Sequence, residues 1–174
     1  KKKKIDPTKR IFNKKMGGGV ILDLGCYPVS FSLLIASLKS TITNKNINCI
    51  NINNSLGDTG VEVDSYVTLN FDNNFVSKIG ASFAKNLGRK SEIIGSKGKI
   101  IIEDTWTANP SKVILNKKNK ELVFNFDSAS SIYSYEIESL SKFLLEKKID
   151  DHKMFTIDKS ILNMQIIDTW KGNI

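Results

Sequence analysis

The residues whose types and spacing could do chemistry lie in one short segment, residues 17–28, with the sequence GGGVILDLGCYP. On a helix, Asp23 and Tyr27 are four residues apart and project from the same face, within reach of a shared ligand or of each other. Gly25 lies between them and, having no side chain, lets a planar group approach the backbone. Spacing alone also fits a structural interpretation, in which Asp23 pairs locally and Tyr27 is a half-buried aromatic residue.

Motifs that define an active site by themselves are absent from the sequence. It contains no G-x-G-x-x-G after a predicted strand, no P-loop and no G-x-S-x-G. Cys26 and Cys49 lack metal-ligand spacing and His152 is the single histidine, so we predict no metal site. Two cysteines without a disulfide pattern are typical of a reducing cytosol, and we expect a cytoplasmic protein.

Hydrophobic periodicity predicts the helix that would carry the segment. Residues 1–16 form a polar, basic, irregular lead-in, and apolar positions then recur at helical spacing over residues 18–38. Pro28 cannot donate to the carbonyl of Leu24, so we expect a kink there or another donor. Residues 20–38 could span a bilayer by length, but they include Asp23, and a central Asp costs about 3 kcal/mol on insertion scales. We therefore expect a buried or half-buried helix and no membrane contact.

The rest of the chain predicts a sheet followed by two helices. Period-two patterns predict six or seven strands, over residues 47–56, 61–71, 75–85, 89–94, 99–103, 113–116 and 121–126, joined by short turns. The odd-numbered positions of 61–71 would face the core. Helices are predicted over 133–147 and 157–171, the latter with Thr156 as its N-cap. We expect an α+β fold, a two-layer domain with a largely antiparallel open β-sheet and helices packed on one face.

Composition limits the class of protein. With 174 residues, 40% of them hydrophobic and 25% charged, the chain is long and apolar enough for one globular core. The net charge of +8 raises a nucleic-acid hypothesis. Arg10 and Arg89 are the only arginines, however, whereas nucleic-acid sites rely on arginine for bidentate contacts. Nucleic-acid binding is therefore a disfavoured alternative.

The segment at residues 17–28 resembles the start of the C-terminal domain of the Gfo/Idh/MocA oxidoreductases. It is most similar to the branch with dimeric dihydrodiol dehydrogenase and glucose-fructose oxidoreductase. Weaker likenesses follow in the family's order: GVEVD at 60–64, GSKGKI at 95–100, Trp106, and FD at 126–127 before SYE at 134–136. The resemblance covers the chain from about Arg10 to Gly172.

The resemblance implies roles for particular residues. Tyr27 would be the proton donor or acceptor at a substrate hydroxyl, and Asp23 would orient the substrate or the tyrosine. A phenol with a pKa near 10 needs an adjacent cation to act as a base, and the family supplies a lysine from an E-K-P segment that this chain lacks. The resemblance places Trp106, Phe126 and Arg10 at the substrate, and Gly18 and Gly19 at the cofactor. On residue type alone, the two aromatics could equally be packing residues, and Arg10 a surface residue.

The resemblance also implies an architecture and an activity. Residues 1–174 would be a single C-terminal substrate and catalytic domain, with NADP or NAD bound mainly by an N-terminal Rossmann domain outside this chain. The reaction would transfer hydride to or from the carbinol carbon of a sugar, polyol or diol, and a homodimer would form through the open sheet face. The alternative is a non-catalytic module of the same fold, used for dimerisation or ligand binding.

Overall fold

The structure, a computed structural model, describes residues 6–38, 40–107, 110–118, 120–127, 133–147 and 156–172. The described residues form seven strands and three α-helices, which confirms the α+β class. In chain order these are α1 (Cys26–Ser37), β1 (Ile47–Leu56), β2 (Glu62–Phe71), β3 (Phe75–Ser82), β4 (Ser91–Gly95), β5 (Gly98–Ile102), β6 (Ser111–Lys117), β7 (Lys120–Phe126), α2 (Ser134–Glu146) and α3 (Ile157–Lys171).

The strands form two antiparallel sheets where a single open sheet was predicted. The first sheet has the order β1-β2-β3 and the second the order β4-β5-β6-β7. The chain accordingly divides into two compact units, Lys1–Leu87 with Phe155–Ile174 and Gly88–Met154. Period-two patterns identify strands, but they do not state which strand edges pair, and that is why the division was missed.

The first unit is built around the hairpin of β2 and β3. Phe71 pairs with Phe75 across a three-residue turn, in which Asn73 accepts a hydrogen bond from the backbone N–H of Phe75. The prediction that the odd-numbered positions of residues 61–71 face the core is confirmed for Val61, Val67, Leu69 and Phe71, which are buried, whereas Val63 is half-buried. The next strand along the sheet, β1, has an irregular register between Ile50 and Asn53.

Helices α1 and α3 cover the core of this unit. Both bury apolar side chains, namely Val29, Leu33 and Ala36 of α1 and Leu162, Ile166, Ile167 and Trp170 of α3. Helix α3 begins as predicted, with the Thr156 hydroxyl accepting from the backbone N–H of Lys159. The helical stretch Lys14–Ser37 is long and apolar enough to cross a membrane, but 44% of its most apolar window is buried inside the protein. That burial is typical of a core helix.

The second unit contains β4 to β7 and α2. Two-residue turns join β4 to β5 and β6 to β7, with Gly95 paired to Gly98 and Lys117 paired to Lys120, whereas residues 103–110 join β5 to β6. Helix α2 has nearly the predicted bounds, and none of its residues is buried. Strand β7 is also exposed along its whole length. This unit therefore has a large apolar surface, which bears on the prediction of self-association.

Candidate functional site

The segment with Asp23 and Tyr27 begins the longest helical stretch of the first unit with an irregular turn. Residues Ile21–Gly25 form a π-helical turn and α1 continues from Cys26. Single π turns inside helices are frequent at functional sites, because they break the regular hydrogen-bond ladder. The predicted disturbance around Pro28 is therefore present, and it lies in the turn that holds Asp23.

A side chain from α3 supplies donors at this irregular turn. The side-chain amide of Asn163 donates to the carbonyl oxygen of Cys26 at 3.0 Å and to Oγ of Ser30 at 2.6 Å. The Ser30 hydroxyl donates to the same carbonyl at 2.7 Å. A buried carbonyl without a donor would be costly, so these bonds stabilise the distorted backbone next to Tyr27. The sequence indicated the need for a donor at the carbonyl of Leu24, whereas Asn163 binds the carbonyl of Cys26, and the sequence did not indicate that contact.

Asp23 and Arg10 form an ion pair. Nη2 of Arg10 lies 2.5 Å from Oδ1 of Asp23, and the side chains are 51% and 21% exposed. Nη1 of Arg10 also lies 3.5 Å from the carbonyl oxygen of Gly17. The structure therefore brings Arg10 to the site, where it contacts the carboxylate that was predicted to orient substrate. The lead-in segment is part of the site and not a separate tail.

Tyr27 lies at the start of α1 and is open to solvent. Its side chain is 58% exposed. Among the described residues, no side chain or backbone group makes a hydrogen bond to its hydroxyl. The half-buried aromatic of the structural interpretation is therefore not what the structure shows. An exposed phenol with free hydrogen-bonding capacity one helical turn from a held carboxylate can exchange a proton with a bound alcohol or carbonyl.

Gly18 and Gly19 are both buried and pack inside the first unit. A Cβ on Gly18 would lie 2.7 Å from the carbonyl oxygen of Arg10 and from the backbone nitrogen of Asn13. Gly19 has φ 115° and would direct a Cβ into Oε2 of Glu62. The N–H groups of Gly18 and Gly19 donate to the carbonyls of Asn13 and Ile11 at 2.9 Å each. Packing accounts for both glycines, and a cofactor contact there stays a prediction.

Gly25 admits a planar group, as expected, but that group is part of the chain. The indole of Trp170 occupies the space, since a Cβ on Gly25 would lie 2.9 Å from its Cζ3 atom. Trp170 is fully buried. The gap between Asp23 and Tyr27 is therefore filled by α3, and a ligand would have to approach from the exposed side of Tyr27.

Cys26, next to Tyr27, is unsuited to nucleophilic chemistry. Burial raises the pKa of its thiol above the ordinary value. A thiolate is the reactive form, so a raised pKa leaves Cys26 protonated and inert near neutral pH.

Trp106 and Phe126, the predicted aromatic substrate contacts, belong to the second unit. Trp106 lies in the loop between β5 and β6, where its backbone N–H donates to Oδ1 of Asp104 at 3.2 Å. The Thr107 hydroxyl and the Arg89 guanidinium also bind this carboxylate and hold the pKa of Asp104 below its ordinary value. Phe126 ends β7 with a 54% exposed ring and pairs with Ser111, whose hydroxyl accepts from the N–H of Asp104. Both aromatics are thus at one end of the second sheet.

Sequence reasoning missed the buried residues that support the site. Glu62, Asn163 and Trp170 all contact residues 19–26, and no motif around Asn163 or Trp170 indicated these contacts. The GVEVD stretch at 60–64 was the one available signal for Glu62. Among the described residues, no three His, Cys, Asp or Glu side chains group as metal ligands would.

Comparison with known proteins relates this fold and this segment to redox enzymes. The chain is 26% identical over 169 residues to a trans-1,2-dihydrobenzene-1,2-diol dehydrogenase of Xenopus tropicalis, covering 91% of the chain and 48% of that protein. For the Danio rerio protein of the same name the identity is 24%, over 88% of the chain and 46% of the relative. The chain therefore spans about half the length of the curated relatives it matches.

Solved structures share the fold at lower identity. KijD10, a 3-ketoreductase from Actinomadura kijaniata solved with NADP and TDP-benzene, matches with a TM-score of 0.74 and 15% identity, over 96% of this chain and 50% of that one. An aldose-aldose oxidoreductase from Caulobacter crescentus complexed with glycerol matches with a TM-score of 0.74 and 17% identity, over 97% of this chain and 49% of that one.

A family model for the GFO/IDH/MocA C-terminal domain matches residues 1–101, which include the glycine run, Asp23, Tyr27 and the first sheet. That match covers more than half of the 174 residues. The chain therefore belongs to the Gfo/Idh/MocA oxidoreductase family, and it contains that family's C-terminal domain.

Proposed function

We propose that this chain is the substrate-binding and catalytic half of an NAD(P)-dependent oxidoreductase. The enzyme would transfer hydride to or from the carbinol carbon of a sugar, polyol or diol. Family membership supports an oxidoreductase, and the relatives include a diol dehydrogenase and an aldose-aldose oxidoreductase. The observation that carries the proposal is the Arg10–Asp23 ion pair beside the exposed Tyr27.

Tyr27 would exchange the proton of the reacting hydroxyl. When hydride leaves a carbinol carbon, the attached oxygen must lose its proton, and in the reverse direction it must gain one. The Tyr27 hydroxyl is exposed and can approach that oxygen. An unassisted phenol has a pKa near 10, so a cation must stabilise the phenolate for the oxidation direction. We assign this cation to the N-terminal half of the enzyme.

Asp23 would bind a second substrate hydroxyl. Arg10 holds Oδ1 of Asp23, which leaves Oδ2 with lone pairs to accept a hydrogen bond from a ligand. A carboxylate beside a proton-transfer group suits a substrate with neighbouring hydroxyls, such as a sugar, polyol or diol. In this proposal Arg10 acts by fixing Asp23, in addition to the substrate contact expected of it.

The proposed enzyme also needs a nicotinamide cofactor and further contacts to the substrate. A bound nicotinamide ring would accept or donate the hydride. Because Gly18 and Gly19 are buried, we place most of the cofactor contacts on an N-terminal dinucleotide-binding domain. Trp106 and Phe126 would line the substrate site with aromatic surface. Both cysteines are free thiols, which supports our proposal of a cytoplasmic protein.

A kinetic experiment tests the proposal on a two-domain protein that contains this chain. In Tyr27→Phe the ring and its packing remain while the hydroxyl is lost, so kcat should fall about 10²–10⁴-fold with little change in melting temperature. The matched control is Tyr135→Phe, because Tyr135 is a similarly exposed tyrosine, at 59%, and has no predicted role in proton transfer. It should retain wild-type kcat.

Two outcomes would contradict the catalytic assignment. Retention of more than about a tenth of wild-type kcat in Tyr27→Phe, above the range of acid-base effects, would remove Tyr27 from proton transfer. Absence of any NAD(P)H-dependent turnover of sugars, polyols or diols by the wild-type protein would favour the alternative, a dimerisation or ligand-binding module of the same fold.

A further inference from the structure

Glu62 is a buried carboxylate to which neither the sequence analysis nor the proposed reaction gives a role. It is the first residue of β2 and is 3% exposed. Among the described residues, its Oε2 atom has no hydrogen-bond partner. The cation nearest to its other oxygen is Lys171 of α3, whose Nζ lies 4.0 Å from Oε1. Burying a carboxylate with an unpartnered oxygen costs free energy of folding, so its presence here calls for an explanation.

The Glu62 side chain packs against the backbone of Gly19. A Cβ added to Gly19 would overlap Oε2 of Glu62, so the carboxylate fills the space that any other residue at position 19 would need. Gly19 has φ 115°, a conformation that favours glycine. Its N–H donates to the carbonyl of Ile11 at 2.9 Å, and its own carbonyl accepts from the N–H of Asp23 at 3.1 Å. Glu62 thus packs against Gly19, the residue whose carbonyl accepts the hydrogen bond from the N–H of Asp23.

Charge strengthens this contact. The helical stretch starts at Val20, immediately after Gly19. The first N–H groups of a helix have no acceptor within it and carry a partial positive charge, which favours a carboxylate at that end. The Glu62 carboxylate lies against Gly19 at this helix end, and its Oε1 atom lies 4.0 Å from the Lys171 ammonium. A neutral side chain at position 62 would lose the electrostatic attraction to the helix end and to Lys171.

We propose that Glu62 is a positioning residue for Asp23, acting through Gly19. The carboxylate holds the Gly19 peptide, and the bond from the N–H of Asp23 to that peptide fixes where the Asp23 side chain starts. Glu62 itself touches neither substrate nor cofactor. The inference rests on the proposed function, because Asp23 matters to catalysis only if this chain binds the substrate.

The experiment compares two buried carboxylates of the same strand in the two-domain protein that contains this chain. Glu62→Gln keeps the size of the side chain and removes its charge. The matched control is Asp64→Asn, because Asp64 is also buried but bonds to Lys85, Tyr66 and Ser82 and not to the catalytic segment. Both variants should lower the melting temperature. We expect only Glu62→Gln to reduce kcat, by about tenfold to a hundredfold, which is the loss typical of a displaced catalytic group. The KM for the cofactor should stay within about twofold of the wild-type value.

A double-mutant cycle separates positioning from a general loss of stability. If Glu62 acts on Asp23, then Glu62→Gln should cost less than about threefold in kcat when Asp23 is already Asn, because coupled sites are not additive. Equal losses in both backgrounds, or a kcat loss in Asp64→Asn as large as in Glu62→Gln, would overturn the inference.

Amide hydrogen exchange gives a measurement that does not depend on turnover. The Asp23 amide should exchange faster in Glu62→Gln than in wild type, and at the wild-type rate in Asp64→Asn. Glu62→Asp keeps the charge but moves it away by the length of one methylene, and it should also speed exchange of the Asp23 amide. This variant replaces Glu62→Gln in the experiment if Glu62→Gln does not fold. An inactive wild-type protein would refute the proposed function. Unchanged exchange at Asp23 would refute the role of Glu62.

Discussion

The indole ring of Trp170 lies directly against the α-carbon of Gly25. A Cβ on Gly25 would lie 2.9 Å from Cζ3 and 3.5 Å from Cη2 of the ring, and Trp170 has no exposed surface. This contact packs the C-terminal part of the chain onto the π turn that contains Asp23. Gly25, which lies between Asp23 and Tyr27, is therefore needed for tertiary packing.

Gly25→Ala should destabilise the protein. The added methyl group forces either the indole or the helix to move, and overpacking of this kind typically costs about 1–3 kcal/mol. Urea denaturation measures the loss. In a Trp170→Phe background the ring is smaller, so the cost of Gly25→Ala should shrink. The same cost in both backgrounds would show that the ring does not set the requirement for glycine.

Breaking the Arg10–Asp23 ion pair should affect activity far more than stability. Because Arg10 is half exposed, the pair should contribute less than about 1 kcal/mol to the free energy of unfolding. In the two-domain protein, Arg10→Met should lower kcat/KM for the substrate, since Asp23 loses the group that fixes Oδ1. Lys142→Met is the control, because Lys142 pairs with Glu138 on the exposed surface of α2 instead. Equal kinetic losses in the two variants would contradict this role of Arg10.

Asp104→Asn should reduce the dependence of stability on pH in acid. The Thr107 hydroxyl and Arg89 lower the pKa of Asp104 in the folded state. A carboxyl group with a lowered folded pKa stabilises the fold above its unfolded pKa, near 4, and loses this contribution as the pH falls through the folded value. Wild type should therefore lose more stability than the variant below about pH 4. Denaturation curves from pH 2 to 7 test this, with Glu103→Gln as an exposed neighbouring control; parallel wild-type and Asp104→Asn profiles would refute it.

The 174-residue chain on its own should bind NADPH weakly or not at all and show no turnover. It lacks a phosphate-binding glycine loop, and the glycines at residues 18 and 19 are buried. Titration calorimetry with NADPH and NADH is the direct measurement. Micromolar affinity for either nucleotide would show that this half contains a cofactor site of its own.

We expect the protein to self-associate through the open face of the sheet. Leu122 and Phe124 of β7 are about half exposed and lie on a sheet face that is open in the second unit. Sedimentation equilibrium should show a dimer that Phe124→Lys weakens, because a charge replaces apolar surface in the contact. A wild-type monomer at high protein concentration would refute the prediction.

The local pattern of the sequence determined the secondary-structure elements of this protein. The period-two alternation of residues 61–71 identified β2 and its buried face, because alternate side chains of a strand point to opposite sides of the sheet. Thr156 marked the start of α3, because its hydroxyl can bind a free N–H of the first turn. The glycine run with Asp23 and Tyr27 was the most specific part of the resemblance to the family, and the family match over residues 1–101 confirms that resemblance. These features depend on neighbouring residues in the chain.

Tertiary structure alone decided what surrounds the segment at residues 17–28. Sequence did not show that Arg10 would pair with Asp23, that Glu62 would pack on Gly19, or that Trp170 would fill the space beside Gly25. It also did not show that the strands would divide into two sheets. Each of these depends on how separate elements pack, and packing is determined by shape and burial across the fold, which the spacing of residues along one element does not encode.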